Sequence, residues 1–314
     1  MNKHTLTLMG GLHGELRVPA HVLLEAVGAL VEGARRATRF AVEGQSVRKG
    51  RRPSWLDAVC TIDITGMSAG SAVIEIEAPT VQEAYAAHVG DDGQHAFVGA
   101  IDRDFGEQTA VDLFGQALAS GIEGDADDVM ADRALLDTCV RFARITGGGV
   151  EGVRLDGLAG RGEPLIITPG HVPRIEGLRE QTPPHQAARV AGTLDTISAS
   201  ISDVTLNLND GTKIRVRLED HDAEELKALF GKHVVVSGLA RYGPSGRLLS
   251  IAGESIGEAS AGDSLFEAVP VAQGRLPAAI PVAQDDSSGV SAFFGTWPGD
   301  ESEGELLDAL QAIG

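Results

Sequence analysis

Between Ala188 and Ile256 short apolar runs alternate with turn chemistry, and no other feature of the 314-residue chain narrows its possible folds so far. Ala188–Ile197, Ser202–Leu208 and Lys213–Leu218 have the length and composition of strands. Asn209-Asp210-Gly211 separates the last two, and these residues tolerate the positive φ that a tight hairpin demands. Asp222–Leu229 then has helical spacing and ends at Gly231. Val234–Arg241 and Arg247–Ile256 make a second hairpin across Gly243-Pro244-Ser245-Gly246. Three strands, a helix and two more strands predict a small five-stranded β-barrel.

Over residues 187–258 this order of elements resembles the OB-fold, in which a helix plugs the barrel between strands three and four. The resemblance implies a surface able to hold single-stranded nucleic acid, with bases stacked on aromatic side chains. Lys213, Arg215 and Arg217 alternate along one strand and so share a face. Together with Arg241 and Tyr242 they are the candidate residues for that role. Against it, Phe230 and Tyr242 are the only aromatic residues of the segment, and its eight basic side chains meet ten acidic ones. A structural barrel or a protein-contact module is the favoured expectation.

The chain as a whole reads as α+β. Residues 1–183 form a β-α-β-β-containing domain, 187–258 the OB-like barrel, 259–292 a flexible linker and 293–314 a docking tail with a short helix. In the first domain Thr5–Met9 is a strand, and a helix follows Pro19 with Val22, Leu23, Val27, Leu30, Val31 and Ala34 along one face. Arg35, Arg36 and Arg39 fall in its expected last turns, where cations complement the helix dipole. A polar loop carrying Arg48, Lys49, Arg51 and Arg52 comes next, expected to pair with the protein's own acidic surface. Ala58–Thr65 and Ser71–Ala78 read as strands, 106–120 and 131–145 as helices, and 150–155 and 164–168 as strands returning to the first sheet. Pro183-Pro184 marks the boundary before the barrel. Ala, Pro, Gly, Ser and Gln dominate the linker.

A formal charge of −19 argues against general affinity for nucleic acid or anionic lipid. The charge is uneven: residues 1–60 hold nine basic and five acidic groups, 61–186 eight and 21, and 259–314 one and nine. No GxGxxG follows a strand, no GxxxxGK[ST] occurs, and the nine histidines are scattered without a metal-binding spacing. Cys60, expected in a strand, and Cys139, on an apolar helix face, read as buried thiols. No cofactor, no metal and no enzymatic activity are expected. With no apolar run long enough to span a bilayer, no membrane association is expected and the cytoplasm is the expected compartment.

The tail concentrates the remaining signal. Phe293, Phe294 and Trp297 lie within five positions after an aromatic-poor stretch, and Pro298-Gly299 turns the chain. Ser302 and Glu305 make a capping-box pattern, after which Leu306, Leu307, Leu310 and Ile313 line one helical face. So short a helix is marginal alone and needs a surface to bury that face. The string FFGTWPGDESEGELLDAL resembles the C-terminal tail of uncharacterised bacterial proteins encoded beside PIN-domain ribonuclease toxins. The matching positions are Phe294, Gly295, Trp297, Pro298, Gly299, Asp300, Glu301, Glu305, Leu306, Leu307 and Leu310. The resemblance implies an antitoxin-like partner of a PIN-domain ribonuclease. Phe293, Phe294 and Trp297 would fill apolar pockets, and the acids at 300–305 would meet basic residues that otherwise hold RNA.

Overall fold

The computed structural model describes residues 1–10, 18–48, 50–68, 72–89, 103–147, 149–198, 203–218 and 221–273. Its first half contains β1 (Asn2–Met9), α1 (Ala20–Glu43), α2 (Ser54–Val59), β2 (Asp63–Ser68), β3 (Ala72–Ala78), α3 (Val81–Val89), α4 (Arg103–Gly106), α5 (Ala110–Glu123), α6 (Arg133–Ala143), β4 (Gly152–Asp156), β5 (Leu165–Ile167) and α7 (Val172–Gln181). The strands form an antiparallel sheet of order β2-β3-β1-β4-β5. Period-two alternation turns His4, Leu6 and Leu8 of the central strand to one face. There they join Ile74, Ile76, Val153 and Leu155 in a core shared with α1, α5 and α6.

The deepest stripe of α1 is made mostly of small residues, with Leu30 among them. Ala26, Ala29, Leu30, Gly33, Ala34 and Ala37 are buried, while the bulkier Val22, Leu23, Val27 and Val31 pack at its margin or are half-buried. Small side chains let α5 come close, and the Phe114 ring sits directly on Gly33. Phe114 also meets Phe142 of α6 edge-on, with centroids 5.4 Å apart at 78°. The helix ends at Gly44, whose φ of 67° is the left-handed cap geometry that glycine adopts without strain.

Three expectations for this half change. Ala58 and Val59, expected to open a strand, instead end a helix, Ser54–Val59, because Pro53 precedes it and Leu56 and Val59, three apart, both reach the core. The strand therefore begins only at Asp63, and Cys60 caps α2. The expected helix at 106–120 is interrupted at Thr109, which N-caps α5 through a capping box with Asp112. The stretch before Pro183 is not bare connection: Val172–Gln181 is a helix with Pro at its first turn, and Ile175 and Leu178 are buried.

The second half is a closed barrel of β6 (Gln186–Ser198), β7 (Asp203–Asn207), β8 (Lys213–Leu218), β9 (His233–Tyr242) and β10 (Leu248–Glu258), with α8 (Ala223–Leu229) between the third and fourth strands. β6 pairs with both β7 and β9, and β10 closes the barrel by pairing antiparallel with β9 and parallel with β8. That is the OB-type topology. Gly211 has a φ of 83°, and its N–H donates to the Leu208 carbonyl at 2.9 Å to close the hairpin. Leu226 and Leu229 of α8 enter the barrel core with Val190, Leu206, Val216, Val236 and Ile251.

Residues 259–273, expected to open the linker, are packed on the barrel. Ala261–Phe266 is a 3-10 turn, in which Asp263 pairs with Arg189 at 2.7 Å and the Phe266 ring lies under the same guanidinium at 4.9 Å. Gln186 and Gln273 exchange reciprocal hydrogen bonds of 2.5 and 2.7 Å, and Ala272 is buried on the barrel core. Among the described residues no helix is long and apolar enough to cross a membrane.

Candidate functional site

OB-type barrels use the outer face of their second and third strands for ligands, which here are β7 and β8. Lys213, Arg215 and Arg217 do project from one face of β8, with Ile214, Val216 and Leu218 turned into the core. That face is not open. Arg215 donates to Asp203 at 2.5 Å and to the carbonyl of Val42 in the last turn of α1. Arg217, opposite Asp203 in the strand register, lies 3.6 Å from both Asp203 and Glu43. Ser250 donates to the Gly44 carbonyl at 2.8 Å. The barrel thus supplies hydrogen bonds and positive charge to the end of α1, where unsatisfied carbonyls attract both. α1 runs on past Arg39 to Glu43, so the cations that complement its C-terminus come from the barrel, not from its own arginines.

The seam is largely buried: Glu43 is 2 % exposed and Asp203 and Arg217 each 7 %. Burial pushes the Asp203 carboxyl above its ordinary pKa, and the adjacent arginines offset only part of that. Of the remaining candidates, Lys213 pairs with Asp195 at 3.0 Å, Arg241 is buried, and Tyr242 is 2 % exposed. A ring in the barrel core cannot stack a base, which corrects the expectation for Tyr242. The exposed aromatic of the barrel is Phe230, after α8.

A second polar constellation joins β1 to α5. His4 Nε2 lies 2.9 Å from Thr109 Oγ1, and His4 Nδ1 lies 3.9 Å from Asp112 Oδ1. The residue types are those of a nucleophile, a base and an orienting acid. Burial argues against that chemistry: all three residues are at most 2 % exposed, which leaves no route for a substrate. The Thr109 hydroxyl lies 2.9 Å from Asp112 Oδ2 as well as from His4 Nε2. The cluster instead pins the helix N-terminus to the sheet, with Asp112 also accepting from the Ala159 N–H at 2.7 Å.

A third feature is open to solvent. Arg35, Arg36 and Arg39, from the second half of α1, face Arg48 and Arg52 across a cleft of about 350 Å³, with Ser46, Val47 and Leu56 completing the wall. The helix contributes three guanidiniums because Arg35 and Arg39, at i and i+4, are neighbours on its surface and Arg36 lies about 100° round from Arg35, at the edge of the same broad face. Among the described residues Glu32 is the one acid in the lining, and it is paired with Arg36 at 2.8 Å. Ser46 is fixed by Asp132, which accepts from its N–H at 2.8 Å and its hydroxyl at 2.5 Å. Burial lowers the pKa of Arg39; Glu43 offsets this in part, and Arg48, Arg217 and Arg52 lower it further. The loop arginines were expected to pair with the protein's acidic surface. Arg52 does reach Asp57 at 3.2 Å, but the convergence of two arginine sets was not legible from spacing.

Both thiols are inert by environment: burial pushes Cys60 up to about 11 and Cys139 up to about 12. Among the described residues no group of three or more His, Cys, Asp or Glu side chains could hold a metal ion. The tail residues Phe293, Phe294, Trp297, Pro298, Gly299, Asp300, Glu301, Glu305, Leu306, Leu307 and Leu310 lie outside the described residues. The fold defines an α+β protein with an OB-type barrel sealed against the end of a long helix. Comparison of the chain with models of protein families, with curated proteins and with solved structures found no match.

Proposed function

We propose that this is a non-enzymatic, antitoxin-like protein of the cytoplasm whose C-terminal segment binds and occludes a PIN-domain ribonuclease. The observation that carries the reading is the closure of the barrel's usual ligand face. Arg215 and Arg217 are engaged by Asp203 and by the end of α1, and Tyr242 is in the core. Binding by the barrel is thereby disfavoured. The Phe-Phe-x-x-Trp-Pro-Gly-Asp-Glu string and the leucine face after it are left as the stretch whose composition suits docking on another chain. Phe293, Phe294 and Trp297 act as anchors, Leu306, Leu307 and Leu310 lie in a groove, and Asp300, Glu301 and Glu305 compete with RNA phosphates for the ribonuclease's basic residues. The inhibition is by occlusion, since a carboxylate-rich tail is repelled by the acidic residues that hold a metal.

The test is a pull-down from the source cells with the full chain and with a chain ending at residue 289. A small protein bearing four spaced acidic residues should be retained by the full chain alone, and its ribonuclease activity should fall on addition of that chain. Identical partner sets would overturn the reading. The competing role, single-strand binding on the barrel, predicts an oligonucleotide affinity that falls steeply with salt. The tail reading predicts none.

A further inference from the structure

We propose that the arginine cleft is a binding site for a small phosphorylated ligand, separate from the docking tail. Arg35, Arg36, Arg39, Arg48 and Arg52 converge on it from a helix and from the loop that follows, against Glu32 as the one lining acid among the described residues. The nearby carboxylates are already engaged. Glu32 is held by Arg36, Glu43 is shared between Arg39 and Arg217, and Asp57 is a surface partner of Arg52. Like charges brought this close repel, and the depressed pKa of Arg39 reflects both its burial and that crowding.

Guanidinium forks are matched to planar or tetrahedral oxyanions. A carboxylate offers two oxygens to one or two forks. A phosphate offers three or more, with up to two charges, and so can engage donors from both walls at once. Val47 adds a small apolar surface against which an organic portion can rest.

The surroundings set the size of the ligand. The chain carries a net charge of −19, and residues 61–186 hold 21 acidic groups against eight basic. A long polyanion laid across the cleft runs onto like charge. A small anion samples only the field within a Debye length, about 8 Å at physiological salt. The volume of about 350 Å³ is also at the small end for ligand cavities.

The experiment is calorimetric titration of the full chain with sodium pyrophosphate and, separately, with inorganic phosphate, at constant ionic strength. Saturable binding is expected. Arg35→Gln and Arg52→Gln should each weaken it about tenfold or more, while Arg247→Gln, at an exposed site on the barrel hairpin, should leave it unchanged. Arg52 is exposed, so its variant remains informative even if Arg35→Gln fails to fold. A preference for inorganic phosphate supports the site and assigns a monophosphate. The proposal is overturned by absence of saturation with either probe, or by unchanged affinity in a folded Arg52→Gln chain. It is equally overturned if a short single-stranded oligonucleotide binds and pyrophosphate does not displace it.

Discussion

Gly28 and Gly33 stand five residues apart in α1, and the same substitution at each should move stability in opposite directions. Replacing a helical glycine by alanine gains about 1 kcal/mol from backbone propensity. At Gly28 an added Cβ meets nothing within 4 Å, so Gly28→Ala should stabilise by about 0.5–1 kcal/mol. At Gly33 the added Cβ would lie 2.3, 2.4 and 2.5 Å from Cζ, Cε2 and Cε1 of Phe114. That ring is fully buried and held edge-on by Phe142, so it cannot swing aside as an exposed side chain would. Overpacking of this kind costs about 1–3 kcal/mol. Propensity is common to both variants and cancels, so they should differ by about 1–3 kcal/mol. Urea unfolding followed by far-ultraviolet circular dichroism measures this, provided the slope m is unchanged. Gly33→Ala combined with Phe114→Leu should lose less than the two single changes together, because the distal ring atoms are gone. Equal shifts of the same sign for the two alanines would refute the close packing of α1 on α5.

Asp203→Ala should destabilise by about 3 kcal/mol, since it leaves Arg217 at the seam without its cross-strand carboxylate; a thermal-unfolding loss below about 1 kcal/mol would contradict a buried bridge. Burial lowers the pKa values of His4 and His185, so between those values and 6.5 the unfolded chain binds more protons than the folded one. Their contribution is complete above pH 6.5 and is lost as the pH falls below it. His4→Leu should flatten that slope in urea melts across pH 5–7, whereas the raised Asp203 carboxyl has the opposite sign and is common to both chains. With thiol pKa values pushed up to about 11 and 12, neither Cys60 nor Cys139 should react with a disulfide reagent near neutral pH until the protein is unfolded. Rapid labelling of the native chain would refute that.

The barrel was legible because its signals are local. Asn209-Asp210-Gly211, the period-two runs and Gly231 each specify geometry within a few residues, and the structure follows them nearly to the residue. The first domain was less legible where two periods compete. Leu56, Val59 and Cys60 suit a strand by composition, but their spacing also suits one buried turn of helix, and Pro53 decides the matter. Val172–Gln181 was hidden by a charged surface that leaves Ile175 and Leu178 as its buried contacts. Long-range polar partnerships left no trace in spacing. Nothing about Glu43 announces a partner 174 residues away in Arg217, and nothing about Arg35 or Arg48 announces a shared cleft.

The latch between α1 and the barrel also fixes an order of assembly. The carbonyls of Val42 and Gly44 emerge early in synthesis, yet their donors Arg215 and Ser250 follow 173 and 206 residues later. β10, which closes the barrel on both sides, is completed only at Glu258. A nascent chain must therefore carry a finished helix with an open end while more than half of its body is still being made. A truncation ahead of Arg215 leaves two faults at once, an unclosed barrel and an unlatched helix at residue 42.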